Sequence, residues 1–388
     1  MMDRLTLTPD TIVPLRRGHP WVYTSGLVDP SELPPPGTPV QLMDSKGKPV
    51  AFGLADDGPI AVRVLDRHSD NIGTLIRRRI ADAHAIRPAL LPDNTNAYRV
   101  VHGEGDGLGG LVIDRYDHTA VLRLYGACWE SHLDDVLTAV TAIDGIHSVM
   151  RRFGVRRVDG REGAETLYGP DPGEPIVVRE AGLQFLARPV TGQKTGLFLD
   201  QREHRIRMAA HCEGQHVVNL FAYNGGFSVH AAAAGAQRVT SVDIAEAALE
   251  DAKENFRLNG LNPDAHHFIS ADVFQWKPES PADIVISDPP SLTHGKSADT
   301  AARKAYRDLA QRTGTMVRPG GLLATASCTA RLNWERWEQA VREGLDKSGR
   351  WSWLWRGAEP PDHPVAMGHP EGRYLKFAVL RRWASRFG

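Results

Sequence analysis

From about Arg188 onward, short apolar runs recur at intervals that leave room for one helix between most of them: "HVVNLF", "RVTSVD", "AHHFISAD", "DIVISD" and "GLLATASC". Strands this apolar are covered on both faces, and helical connections between them make neighbours parallel. No other feature constrains the fold as much. It predicts an open, doubly wound α/β sheet of Rossmann-like architecture. Ligands of such sheets sit beyond the carboxyl ends of the strands, so the residues that close each run carry the functional information.

The first run leads into "NLFAYNGGFSVHAAAAGA", a strand, a glycine turn and an alanine-rich helix. Asn219, Phe221, Tyr223 and Gly225 fall where the backbone can approach a ligand closely. The second run ends at Asp243, placed to bind the two hydroxyls of a ribose. The third ends at Asp272, within reach of an adenine amino group, and the fourth in "SDPPS". There the two prolines stiffen the turn and fix the Asp288 side chain over the cofactor pocket. A glycine turn, two further acids and Asp-Pro-Pro together indicate S-adenosylmethionine. A nicotinamide dehydrogenase would share the first features but gives no reason for the last. Just upstream, "RPVTGQKTGLFLDQREHR" carries Lys194, Gln201 and Arg202 on a polar loop entering a helix, placed to close over the cofactor.

The 388 residues call for more than one domain. Residues 1–70 read as a small β-barrel, with the alternating runs "TPVQLMD", "KPVAFGL" and "PIAVRVLD" divided by turn signals. Residues 71–188 read as an α+β middle domain, and 189–388 as the doubly wound domain. Ile72, Ile76, Ile80 and Ala83 fall on one helical face. "GEGDGLGG" joins two strands and opens no helix, so it is a connection and not a phosphate loop. "GPDPGEP" is expected within the middle domain's last hairpin.

Net charge is −1 and the chain carries only three cysteines, with no CxxC pair. Neither a disulfide scaffold nor a metal site is expected, and a reducing cytoplasm suits the composition. No run is long enough to span a bilayer, and "MMDRLTLTPD" has no apolar signal core, so no membrane is expected. Local charge is informative: Arg16 and Arg17 precede the barrel strands, and Arg151, Arg152, Arg156 and Arg157 form a cluster.

At this level of detail the whole chain resembles the ribosomal large-subunit RNA methyltransferase I family. "LRRGHPWVYTSG" is similar to the start of that family's PUA RNA-binding domain, and "GEGDGLGGLVIDRY" to its middle domain. "TGQKTGLFLDQREHR", "NLFAYNGGFSVHAA", "SVDIA" and "DVF" resemble its cofactor motifs. "ASCTA" and "DHPVAMGHPEGRYLK" resemble its catalytic cysteine motif and C-terminal hairpin. The resemblance implies a PUA-like barrel, S-adenosylmethionine as cofactor and 5-methylcytosine as product. It implies large-subunit ribosomal RNA as partner, and with such a partner the basic residues Arg16, Arg17, Arg151, Arg152, Arg156, Arg157 and Lys194 are the expected RNA contacts. A homodimer is left open. The chain departs from the family at Ser291, where lysine usually follows Asp-Pro-Pro.

The resemblance also gives Cys328 a role. Carbon 5 of cytosine is too weak a nucleophile to take a methyl directly, and thiolate addition at carbon 6 makes it enamine-like. Asp288 would hold the base at its N3/N4 edge. Guanine methylation at N7 or N2 needs no thiol, so a guanine enzyme is the competing expectation. A methyltransferase fold serving only as an RNA-binding assembly factor is a third.

Overall fold

The structure, a computed structural model, describes residues 2–68, 71–153, 161–292, 298–330 and 332–384. Chain contacts divide it into two compact units: Met1–Glu180 with Ala187–Leu199 and Pro361–Gly372, and Ala181–Leu186 with Asp200–Pro360 and Arg373–Gly388.

The first unit opens with β1 (Asp3–Thr6), α1 (Pro9–Arg16), β2 (Trp21–Tyr23), β3 (Pro39–Met43), β4 (Pro49–Ala55) and β5 (Ile60–Asp66). These strands form a five-stranded sheet in the order β1-β3-β4-β5-β2. The next elements are α2 (Ile72–Ile86), β6 (Ala97–His102), β7 (Leu111–Tyr116), β8 (Thr119–Leu124), α3 (Leu133–Thr141), β9 (Ser148–Arg152) and β10 (Ala164–Tyr168). They make a second sheet in the order β10-β9-β8-β7-β6, in which only β8 and β9 are parallel. Helix α2 buries Ile72, Ile76, Ile80 and Ala83 as its spacing predicts, and Asn71 caps it by accepting the Thr74 amide at 3.0 Å.

The two sheets share one core, in which Phe52, Leu54 and Leu65 join the apolar face of α2 and the strands β6–β9. Buried Arg63 of β5 pairs with Asp56 at 2.5 Å and Glu104 at 3.3 Å, and donates to the Tyr125 carbonyl at 3.2 Å. This is why the barrel and the middle region cohere as one unit. The segment 361–372 joins them because the Asp362 carboxylate accepts the Arg99 amide at 3.0 Å and His363 packs on His102. "GEGDGLGG" does connect the antiparallel strands β6 and β7. A side chain at Gly110 would strike the Arg63 guanidinium, 2.8 Å away, which accounts for that glycine. "GPDPGEP" does not close a hairpin: β10 is an edge strand paired to β9, and β11 (Ile176–Glu180) lies in a separate two-stranded sheet.

After β12 (Leu183–Ala187), the second unit runs α4 (Arg202–Ala209), β13 (His216–Leu220), α5 (Gly226–Ala233), β14 (Arg238–Asp243), α6 (Glu246–Leu258), β15 (His267–Ser270) and β16 (Ala282–Ser287). It continues with α7 (Ala298–Met316), β17 (Val317–Ser327), α8 (Trp334–Leu345), β18 (Trp351–Gly357) and β19 (Lys376–Arg382). The seven-stranded sheet has the order β15-β14-β13-β16-β17-β19-β18. Strands β13 to β17 are parallel, and β19 runs antiparallel to both neighbours. The order reverses between β13 and β16, so the crevice of a doubly wound sheet opens beyond their carboxyl ends. Trp351 and Trp353 pack against the core, and Trp355 stacks on Phe377 with centroids 5.4 Å apart. Among the described residues no helix is long and apolar enough to cross a membrane.

Candidate active site

Parallel strands share one carboxyl edge. The residues predicted from the run ends therefore come together: Phe221–Gly225 after β13, Asp243 closing β14, Asp272 after β15, Asp288 after β16 and Cys328 after β17. Because β19 is antiparallel, its first residue, Lys376, lies at the same edge, in register with Ser327.

The turn after β13 is built around the acid of β14. Phe221 and Tyr223 take φ of 57° and 48°, in the left-handed region, and the Tyr223 amide donates to Asp243 Oδ2 at 2.8 Å. Asp243 Oδ1 accepts the Ala245 amide at 2.9 Å. Each carboxylate oxygen thus keeps a lone pair for a further donor. Gly225 opens α5 with φ 77°, and a Cβ there would lie 2.9 Å from Ala252 Cβ, so the turn admits no larger residue. Buried Asn219 donates to Ser228 Oγ at 2.9 Å, while its Oδ1 has no hydrogen-bond partner among the described residues. Asp272 accepts the Phe274 amide at 2.9 Å and the Gln275 side chain at 3.0 Å. Ile244 and Phe274 stay exposed beside these acids, at 74% and 46%.

This arrangement fits a nucleoside cofactor. Asp243 offers acceptors for ribose hydroxyls, Ile244 and Phe274 offer apolar surface for a base, and Asn219 offers an unmatched buried acceptor. Of these, sequence reasoning missed Ile244 and Phe274. An isolated exposed side chain next to an acid carries no pattern until the fold sets strand ends side by side.

Gln201 and Arg202 are both buried at the start of α4. Gln201 Oε1 lies 2.6 Å from His204 Nδ1, and Arg202 Nε pairs with Glu203 at 3.3 Å. His204 stacks on Phe377 at 4.2 Å, and burial pushes its pKa down to about 3. Asp200 is held by the Tyr374 hydroxyl at 2.8 Å. In the first unit, Lys194 places its Nζ 4.6 Å over the Phe198 ring.

The arginine cluster is corrected in part. Arg151 and Arg152 end a central strand of their sheet and are buried. Arg151 forms a bidentate pair with Glu130 and lies over Phe153, and Arg152 donates to the carbonyls of Val190 and Gly192. Both guanidinium groups are therefore engaged inside the unit, not offered to a polyanion. Arg156 and Arg157 lie outside the described residues. Arg16 and Arg17 are exposed. Arg16 lines a cleft of about 780 Å³ with Lys48, Arg67 and His68, alongside the acids Asp66 and Glu104.

The neighbourhood of Cys328 centres on Thr329. Its hydroxyl lies 3.1 Å from the Tyr306 hydroxyl and 3.3 Å from Ser291 Oγ, and its carbonyl accepts Lys376 Nζ at 2.9 Å. Burial raises the Tyr306 pKa, and the charges of Cys328 and Asp288 add to the rise. Cys128 and Cys212 are buried, and desolvation pushes their thiols up to about 12. Cys328 alone of the three is partly exposed. Among the described residues no group of three or more His, Cys, Asp or Glu could hold a metal.

Comparison with known proteins agrees with this geometry. Residues 131–354 match the S-adenosylmethionine-dependent methyltransferase family model, and residues 5–67 match a PUA-like domain. The ribosomal RNA large subunit methyltransferase of Deinococcus radiodurans is 37% identical, aligned over 97% of each chain. The ribosomal RNA large subunit methyltransferase I of Shewanella amazonensis is 33% identical over 99% of this chain and 100% of its own. The chain belongs to the ribosomal RNA large-subunit methyltransferase I family. It is a methyltransferase that uses S-adenosylmethionine, on a Rossmann-like α/β domain preceded by a PUA-like one. A solved methyltransferase in complex with SAH superposes with a TM-score of 0.87 over 98% of this chain and 100% of its own, at 22% identity, which supports the fold.

Proposed function

We propose that this methyltransferase of the family acts on large-subunit ribosomal RNA and forms 5-methylcytosine through Cys328. The observation that carries this reading is the position of the one partly exposed thiol, at the carboxyl end of β17 in the same row as Asp288 and Asp243. Transfer to a guanine nitrogen gives such a thiol nothing to do, whereas carbon 5 of cytosine needs it.

Asn219, Phe221, Tyr223, Gly225, Asp243 and Asp272 would hold S-adenosylmethionine, with Gln201 and Arg202 closing the pocket from α4. The cofactor supplies an electrophilic methyl group. The Cys328 thiolate adds to carbon 6 of the flipped base, and Asp288 binds the N3/N4 edge as electron density moves to carbon 5. Carbon 5 would then be nucleophilic enough to take that methyl, releasing the cofactor as its thioether. Transfer of the carbon-5 proton to a base would restore the double bond and release the Cys328 thiolate. RNA is gripped through phosphate contacts from Arg16, Arg17 and Lys194, with Lys48 and Arg67 beside Arg16 in the cleft of the first unit.

The test is nucleoside mass spectrometry of unmodified ribosomal RNA incubated with S-adenosylmethionine and either the wild type or Cys328→Ala. The expected outcome is 5-methylcytidine with the wild type and none above background with the variant. Methylguanosine that survives the substitution would replace this reading with the guanine one.

A further inference from the structure

We infer that Lys376 is a positioning residue for the reaction, holding a positive charge against Cys328 so that the thiol reacts as thiolate. The inference rests on the proposed nucleophilic role of Cys328. Lys376 opens β19 directly across from Ser327, the residue before the thiol, and it is 1% exposed. Its ammonium donates to the carbonyl of Thr329, the residue after the thiol, at 2.9 Å, and to the Tyr374 carbonyl at 3.0 Å. The ammonium is thus held by the backbone just after Cys328, while the lysine's own backbone is paired with the residue just before it.

A buried lysine is uncommon without an anion to justify it. Two carbonyls hold Lys376 in place but bring no compensating charge. The groups around it are Cys328 after β17, Glu359 between β18 and β19, Tyr374 just before β19, and Tyr306 from α7 on the hydroxyl of the same Thr329, with Asp288 after β16 acting on that phenol through its charge. Glu359, which accepts the Leu375 amide at 2.7 Å, is one such anion, and the Cys328 thiolate is a second that forms only when the site works. Burial lowers the lysine pKa to about 8, while Glu359 and Cys328 pull it back up. At neutral pH it is therefore still mostly charged. A charged neighbour of this kind lowers a thiol pKa and raises the thiolate fraction.

The measurement is the pH dependence of Cys328 alkylation by iodoacetamide in the full chain, read by peptide mass spectrometry. It needs neither RNA nor cofactor, and the other two thiols are buried and pushed up to about 12, which keeps them unreactive. In Lys376→Met the onset of alkylation should move to higher pH, with the rate at pH 7 falling about tenfold. Lys376→Arg, which keeps a charge that does not titrate, should hold the low-pH onset. The cofactor affinity of each variant reports whether the sheet edge is intact. If the Met variant does not fold, the Arg variant still decides: a shift of its onset to that of an ordinary thiol overturns the inference. So does an unmoved onset in a folded Met variant. Failure of the underlying reading looks different, because Cys328→Ala would then still methylate RNA whatever the alkylation profile shows.

Discussion

Two strand ends in this molecule carry clusters of polar side chains, and they use them in opposite ways. At the end of β9, Arg151 and Arg152 are turned inward and satisfied by Glu130 and by backbone carbonyls. At the carboxyl edge of the seven-stranded sheet, Asp243 is only partly covered and accepts one amide per oxygen. The first cluster is rich in charge and has little of it left to offer. The second has fewer charges and leaves hydrogen-bonding capacity facing outward. Whether a polar residue is available depends on what the fold has already paired it with, and charge along the sequence does not report that.

Three experiments bear on this contrast, beginning with the largest expected effect. His204 belongs to the second unit yet resembles the interior arginines, since Gln201 and Phe377 enclose it. Its pKa is lowered from 6.5 to about 3, so the unfolded chain takes up the proton first as pH falls. Stability is complete above about pH 6.5 and declines toward pH 3, by a total on the order of 5 kcal/mol. Urea titrations across that range should show the decline in the wild type and lose it in His204→Phe. An equal decline in the variant would assign the acid sensitivity elsewhere.

Asp243→Ala removes the acceptor of the Tyr223 amide and the one proposed for the ribose. Calorimetry should find S-adenosylmethionine binding weakened by about thirty- to a hundredfold, with a lowered melting temperature because two turn amides lose their acceptor. Unchanged affinity would mean that the outward lone pairs are idle, and the contrast with β9 would lose its functional half.

The smallest effect separates the arginines themselves. Arg151→Met should cost about 1–2 kcal/mol of stability, because it leaves half-exposed Glu130 without its partner, and should leave the salt dependence of RNA binding as it was. Arg16→Ala should do the reverse, lowering the salt slope by about one with no loss of stability. A changed slope in Arg151→Met would return that residue to the RNA footprint.

The parts of the site that could be read beforehand are those that local pattern determines. Asp243, Asp288 and Cys328 each follow an apolar run, and parallel pairing brings run ends together whatever the connections do. Lys376 could not be read this way. It heads the run "KFAVL", and only the antiparallel return of β19 sets it beside Ser327, far earlier in the chain. The inward turn of Arg151 and Arg152 was hidden for a related reason. Their strand lies inside its sheet because β10 covers its other side, and "GPDPGEP" gives no sign that β10 pairs backward with β9 and not forward with β11. The barrel's union with the middle region depends on Arg63, whose partners Glu104 and Tyr125 lie in another sequence neighbourhood altogether.

The segment Pro361–Gly372 has a consequence for how the chain is made. It belongs to the first unit, where Asp362 accepts the Arg99 amide, although more than 150 residues of the second unit come before it in the chain. A nascent chain that has released everything up to Leu199 therefore still lacks part of its first unit. That unit is finished only when synthesis is nearly over, after most of the second has emerged. Neither unit can be cut out as one continuous fragment, and a chain stopped before Pro361 would leave both incomplete.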